Sequence, residues 1–286
     1  MYPASIPTIS VIITHHNRPE SLRQALWSIH NQTVKPAEII VVDDCSTGDA
    51  RQRVDALSRF TTAIVGTPRN MGPSGARNLG ARIATGEWLA FLDDDDQYLS
   101  GKLETQLRYL SDHPRCVALG GGVMMRPPNA PDQQWCGSST RRLTLSDVLY
   151  YTASMSQAMM IRRDVFLRLG GFDERLRHLE DYELGVRIVA AGLEMHSLAM
   201  PLCIYHLGGR EQLSLQWGPM VRAELRVLWR YRKLCRREFG RFGLERMVAR
   251  CCRERGLRRG RVLGRSVWLL GSISDVIFGV ERGEFY

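Results

Sequence analysis

The sequence predicts an α/β protein, with a mostly parallel central sheet flanked by helices and a basic helical C-terminal extension. Three observations lead there. From Thr8 to Met125, apolar β-branched runs alternate with segments of helical period, as in a parallel sheet with crossover helices. Two of those runs end in carboxylates, "VVDD" and "FLDDDD". Charge is also segregated. Arg222 to Arg265 holds sixteen Lys or Arg against four Glu, a local balance of +12 in a chain whose net charge is +9. The chain divides accordingly into a domain over 1–215 and an extension over 216–286.

"TISVIIT" (Thr8–Thr14) has the unbroken apolar character of a strand buried on both faces. In "NRPESLRQALWSIHNQ", Pro19 suits a first helical turn, and Leu22, Ala25, Leu26 and Ile29 recur at helical spacing. "EIIVVDDCS" is a second strand, ending in Asp43 and Asp44, and "TAIVG" a third. "GPSGARNLGARIATG" reads as a glycine-rich turn leading into a helix that stops at Gly86. "EWLAFLDDDD" is another buried strand with an acid end. "KLETQLRYLSDHP" is an amphipathic helix and "CVALGGGVMM" a further strand. Arg126 to Tyr151 is irregular loop. "SQAMMIRRDVFLRLGGFDERL" then supplies a strand, a short helix and a Gly-Gly turn. Glu180–Gly192 is a helix with Leu184, Ile188 and Ala191 on one face.

Composition narrows the class. At 44% hydrophobic and 24% charged residues, the chain is that of a folded soluble protein with a sizeable core. Its seven cysteines contain no CxxC pair, which argues against a zinc site and for reduced thiols in the cytoplasm. The apolar run after Thr8 is short and runs into "THHNRPE", unlike a secretory leader. No run of about 20 apolar residues is present, so no spanning helix is expected. No G-x-G-x-x-G follows the first strand and no P-loop occurs, which disfavours a dinucleotide fold and a P-loop nucleotidase.

The run Asp93–Asp94–Asp95–Asp96 needs a reason, because adjacent carboxylates repel and are costly to bury unpaired. Each alone could be a solvated loop residue or a helix cap. Two acid-ended strands in one parallel sheet favour a ligand, since such sheets bind ligands beyond the carboxyl ends of their strands. Clustered carboxylates suit a hard divalent cation, Mg²⁺ or Mn²⁺, whose shell phosphate oxygens complete. The cation relieves the repulsion and brings a diphosphate with it.

These motifs carry a resemblance. "ISVIITHHNR", "EIIVVDDCST", "NMGPSGARNLG", "GEWLAFLDDDD", "GGFDE" and "LEDYELGVRIVAAG" occur in the order found in family 2 glycosyltransferases of the GT-A fold, from Thr8 to His206. The resemblance implies a non-processive, inverting transferase that moves a sugar from a nucleotide-diphosphate sugar, UDP being the commonest donor, to an acceptor hydroxyl. It implies that Thr14, Asn17, Asp43 and Asp44 hold the base and ribose, and that Arg77 and Asn78 lie near the nucleotide. The family's Asp-x-Asp falls on Asp93 and Asp95, with Asp95 as metal ligand and Asp93 between ribose and metal. Asp94 takes the variable position at the nucleotide sugar, where it can also be solvated, and Asp96 closes the motif. Asp181 matches the catalytic base, with Glu180 beside it; either could instead be a first-turn acid on the helix dipole. His206 falls where relatives carry a His or Arg near the diphosphate and metal. His15 and His16 depart from the family pattern and either touch the nucleotide or cap the loop. Arg187, six residues beyond Asp181, reads as structural. Processive relatives carry Gln-x-x-Arg-Trp; this chain has Gln216–Trp217 without the Arg.

Acceptor contacts are expected in Arg126–Tyr151 and Met155–Met160, and the implied role is cell-envelope or polysaccharide glycan synthesis, on a glycan or lipid-linked acceptor. Two alternatives remain: a nucleotidyltransferase sharing the sheet and metal acids, or a catalytically inactive relative that binds partners. In the extension, Leu225, Leu228, Trp229 and Tyr231 interleave with Arg. This fits an interfacial element on an anionic membrane surface, placing the protein peripherally on the inner face of the membrane. It also fits a helix face packed on the domain; no nucleic-acid fold is recognisable. The last apolar part, Val262–Val280, is broken by Arg265 and Asp275.

Overall fold

The computed structural model describes residues 7–150, 155–208 and 217–259, with the Trp217 side chain and those beyond Cys251 left aside. The expected boundary at 215/216, Tyr151 and Val262–Val280 lie outside the described residues.

The first half builds as the periodicity predicts. Strand β1 (Ile9–His15) is buried throughout. Helix α1 (Pro19–His30) opens on Pro19 and buries Leu22, Ala25, Leu26 and Ile29. Strand β2 (Glu38–Asp43), helix α2 (Asp49–Asp55) and strand β3 (Ala63–Gly66) follow. Helix α3 (Gly72–Ile83) packs close on β1, where a Cβ at Gly80 would collide with Ile12. That helix ends at Ala84, before Gly86. Gly86 is instead demanded by β1, because a Cβ there would lie 2.7 Å from the Ser10 nitrogen. Strands β4 (Trp88–Asp93) and β5 (Gln97–Tyr98) bracket the acid run, and helix α4 (Lys102–Asp112) and strand β6 (Cys116–Arg126) complete this half.

The segment read as irregular loop contains strands β7 (Gln133–Trp135) and β8 (Arg141–Arg142) and helix α5 (Leu145–Tyr150). Strand β9 (Met160–Arg162), helix α6 (Arg163–Arg168), helix α7 (Glu180–Ala190) and strand β10 (Glu194–His206) follow. On α7, Leu184 and Ile188 are buried, whereas Ala191 falls at the C-cap and is exposed. The extension forms helices α8 (Trp217–Arg230), α9 (Arg232–Phe239) and α10 (Gly243–Arg259).

The sheet order is β3-β2-β1-β4-β9-β6-β10-β5, with β7 on β6 and β8 on β10. It is mixed. The pairs β3–β2, β2–β1, β1–β4 and β6–β10 are parallel, but β9 runs antiparallel between β4 and β6. Both faces are covered, which is why the strands read as continuous apolar runs. Val11, Ile13, Val41 and Leu92 face the cluster that includes Leu26 of α1 and Leu107 of α4. Ile12, Ile40, Val42 and Phe91 face the cluster that includes Val186 and Ile188 of α7. Val227, Leu228, Cys235, Leu244, Met247 and Cys251 of the extension belong to this second cluster, so α8–α10 pack on the domain.

Asn78, expected near the nucleotide, also holds the fold together. Its buried side chain accepts from the Phe172 N–H (2.8 Å) and donates to the Phe172 carbonyl (2.9 Å) and Glu174 (3.0 Å). The amide stitches α3 to the loop before α7. Truncation leaves buried main-chain groups unpaired. Asn78→Ala should therefore destabilise the fold by about 1–3 kcal/mol, read as a lower urea midpoint at unchanged m; an unaltered midpoint would show that the stitch is not needed.

Candidate active site

Strand register builds the site. Thr14 lies opposite Asp93, and His15 opposite Asp43, so both acid-ended strands flank the end of β1. Among the described residues three non-glycines adopt left-handed backbone, and all sit in the loops at this end or just before α7: Asn17 (φ 56°), Cys45 (φ 64°) and Leu179 (φ 62°). Such strain is sustained only where surrounding contacts impose it.

The four consecutive acids are individually held. Asp93 accepts from Arg77 (2.5 Å) and Thr14 (3.2 Å). Asp94 is 1% exposed and bonds to His15 (2.8 Å), the His16 N–H (3.2 Å) and Arg18 (2.7 Å). The reading of Asp94 as solvated is therefore corrected: burial among these partners makes it an anchor for the loop after β1. Asp95 is paired with Arg18 (2.5 Å). Asp96 is buried and accepts from Gln157 (2.9 Å) and the His206 N–H (3.0 Å). Burial, reinforced by Asp93 and Asp94 against the pull of Arg18, raises the Asp95 pKa to about 6. Burial and neighbouring acids push Asp96 well above the usual range.

At the end of β2 both carboxylates serve the loops around them. Asp43 accepts from the Ser46 N–H (3.1 Å) and Arg51 (2.9 Å). Asp44 accepts from Thr67 (2.9 Å) and from the N–H groups of Met71 (2.7 Å) and Gly72 (2.8 Å), tying β2 to the start of α3. His16 bonds to the Asp44 carbonyl (2.8 Å), and Asn17 accepts from the Thr47 N–H (2.8 Å). Of the two readings of His15 and His16, loop capping is the one their hydrogen bonds adopt.

The second half of the site is the start of α7. The Asp181 carboxylate accepts from the N–H groups of Ser156 (3.2 Å) and Tyr182 (2.7 Å). Burial, then repulsion by Glu180, raises its pKa to about 7, with Arg77 and the two N–H donors pulling the other way. Two bridges join it to the acid run. Arg77 is buried and donates to Glu180 (2.6 Å) as well as to Asp93. Ser156 and Gln157, neighbours in one short 3₁₀ turn (Ser156–Ala158), hold Asp181 and Asp96 respectively. Arg77 thus spans the two groups of acids, and any contact with a nucleotide has to coexist with those bonds. His206 sits beside the run, its ring bonded to the Asp95 main chain and its pKa lowered by burial.

Arg18, Arg51, Thr67 and Gln157 were not singled out from sequence. Arg51 carries a signal, a cation a few residues past an acid-ended strand; Arg18 follows β1, which ends without an acid, and Gln157 carries none. Among the described residues no three His, Cys, Asp or Glu side chains gather into a ready metal cage. Asp93 and Asp95 nevertheless fit a hard divalent cation. Their side chains remain 28% and 25% exposed, mutual repulsion would be relieved, and such an ion needs only one or two carboxylates when phosphate completes its shell.

With the geometry described, relatives can be compared. The profile of glycosyl transferase family 2 matches residues 10–170, and that of glycosyltransferase like family 2 matches residues 132–210. An uncharacterized glycosyltransferase of Haemophilus influenzae is 30% identical over 191 residues, 63% of this chain and 62% of its own. The GalNAc(5)-diNAcBac-PP-undecaprenol beta-1,3-glucosyltransferase of Campylobacter jejuni is 41% identical over 106 residues, 36% of this chain and 34% of its own. The alignments therefore span under two thirds of the length of these relatives. S. aureus TarS 1-349 in complex with UDP-GlcNAc superposes with a TM-score of 0.66 at 17% identity, covering 92% of this chain and 79% of that one. Mannosyltransferase PcManGT of Pyrobaculum calidifontis, in complex with GDP-Man and Mn2+, superposes at 0.64 with 16% identity, covering 96% and 81%. The structural matches establish the GT-A fold. Since the first profile covers more than half of its length, the chain belongs to glycosyl transferase family 2.

Proposed function

We propose that the chain transfers a single sugar per encounter, with inversion, from a nucleotide-diphosphate sugar to an acceptor hydroxyl. The observation that carries this reading is the placing of Asp181, tied through Glu180–Arg77 and through Ser156–Gln157 to the carboxylates at the end of β4. Asp181 takes the acceptor proton as the hydroxyl oxygen bonds to the anomeric carbon. The bond from that carbon to the diphosphate breaks, and the nucleoside diphosphate leaves. A base with a pKa near the working pH suits this step. Glu180, engaged by Arg77, is the lesser candidate for the proton.

Thr14, Asn17, Asp43 and Asp44 are the proposed holders of base and ribose; Arg51 pairs with Asp43. Asp93 and Asp95 would hold Mn²⁺ or Mg²⁺, with His206 close by; the ion would neutralise charge on the departing diphosphate. The donor proposed is a UDP-sugar, consistent with the UDP-GlcNAc complex of the TarS neighbour. A lipid-linked envelope glycan is the proposed acceptor, in keeping with the undecaprenol diphosphate in the Campylobacter relative's name.

The helices of the extension, a unit we propose begins near residue 216, support a place at a membrane. None of the described helices is long and apolar enough to cross one. Trp229 is 63% exposed with Arg232 stacked on it, and Phe242 is exposed beneath Arg241. Lys233, Arg236 and Arg237 are exposed between them. Aromatic rings with surrounding cations match an anionic surface on the inner face of a membrane.

Three outcomes test this reading. Turnover in Asp181→Asn should fall about 10²–10⁴-fold with UDP affinity retained, and wild-type turnover should rise with pH through about 7, because only ionised Asp181 accepts the proton. A near wild-type rate would transfer the role to Glu180. In calorimetry, UDP should bind more tightly with Mn²⁺ than with EDTA, and Asp95→Ala should erase the difference; equal affinities in wild type would discard the metal. In sedimentation, the protein should pellet with anionic but not zwitterionic vesicles and be released by salt, since such attraction is screened. The triple change Lys233→Gln, Arg236→Gln, Arg237→Gln should weaken pelleting; no change would locate the contact elsewhere.

A further inference from the structure

Two residues beyond Asp181, the Glu183 side chain is 1% exposed and fully engaged. One oxygen accepts twice from Arg187, at 3.0 and 2.6 Å, as a helix neighbour can. The other accepts from Arg230 (3.1 Å) and the Tyr231 hydroxyl (2.6 Å), which come from the junction of α8 and α9. Arg187 goes on to bond the carbonyls of Leu169 and Gly171, and Arg230 to pair with Asp173 at 2.7 Å. The extension is thereby bolted to the helix that presents Asp181 and to the turn before it. That helix needs an outside hold. It starts on Leu179 in left-handed backbone, with no side-chain cap.

We propose that Arg230 and Tyr231 are positioning residues. By clamping Glu183 they fix the first turn of α7, and with it the seat of Asp181 on the Ser156 N–H. This rests on the reading of Asp181 as the base. Released from the clamp, the turn can relax about its strained start, Asp181 leaves its seat, and water reaches the carboxylate. Donor contacts at the strand ends are unaffected, since neither residue touches them.

The test compares Tyr231→Phe, Arg230→Ala and Arg230→Lys with wild type and Asp181→Asn, using UDP release from UDP-N-acetylglucosamine or whichever UDP-sugar wild type turns over fastest. Tyr231→Phe and Arg230→Ala should lower kcat about tenfold or more, as small displacements of a reacting group do, with donor KM within about twofold. Arg230→Lys should recover part of the loss. The acid limb of the pH–rate profile should move to lower pH. Asp181 is held high by burial and by Glu180 on its own helix, opposed by Arg77 from α3, so solvation returns it toward the ordinary carboxylate range. Arg226→Gln, at an exposed cation one turn before Arg230 on α8, should change nothing. Wild-type kcat and pH limb in both clamp variants, with Asp181→Asn inactive, would overturn the proposal alone. Loss of kcat, donor affinity and thermal midpoint together would reduce the clamp to general stability and also overturn it. An active Asp181→Asn would overturn both the base and the clamp.

Discussion

The Arg77 guanidinium lies buried between Asp93 on β4 and Glu180 on α7, and the geometry of the site depends on it. Its burial alone would lower its pKa, yet the two carboxylates raise it well above the usual value. A buried cation with one acid removed is a serious liability, so each partner is needed for the other's sake. The same charge acts on both groups of acids. It sits on Asp93, and it opposes the burial and repulsion that would drive Asp181 higher still. The end of β4 and the start of α7 therefore share one electrostatic centre.

The first half of the fold could be read from residues because local pattern and tertiary need coincide there. Leu22, Ala25, Leu26 and Ile29 repeat at helical spacing and are the face that α1 buries. The three residues of β9 carry no sign of direction, since strand polarity is set by neighbours far away in sequence. Strand β10 was missed for a related reason. Its buried and exposed positions follow no simple alternation, and its pairing with β6 is interrupted by register shifts at Leu198 and Pro201.

For the site, sequence located the strand ends and the start of α7 but could not say which polar atoms were already committed. Asn78 and Asp94 look like ligand-facing groups in a string of letters. Both are occupied by main-chain groups or buried partners from other segments. Nor could it distinguish a basic surface from a packed one in the extension. The same helices present Lys233, Arg236 and Arg237 outward while Arg230 turns inward to Glu183 and Asp173, and Arg250 pairs with buried Glu224.

The antiparallel strand β9, inserted between β4 and β6, also dictates an order of assembly. When a ribosome has released β1 to β4, those strands already hold their parallel partners, but β4 keeps one edge open. The strand that closes it arrives only after α4, β6 and the whole segment before Met160 have been made. An open apolar edge of this kind is a template for wrong pairing with another nascent chain. The half of the protein that carries the acid-ended strands is thus the half that has to be sheltered longest during synthesis.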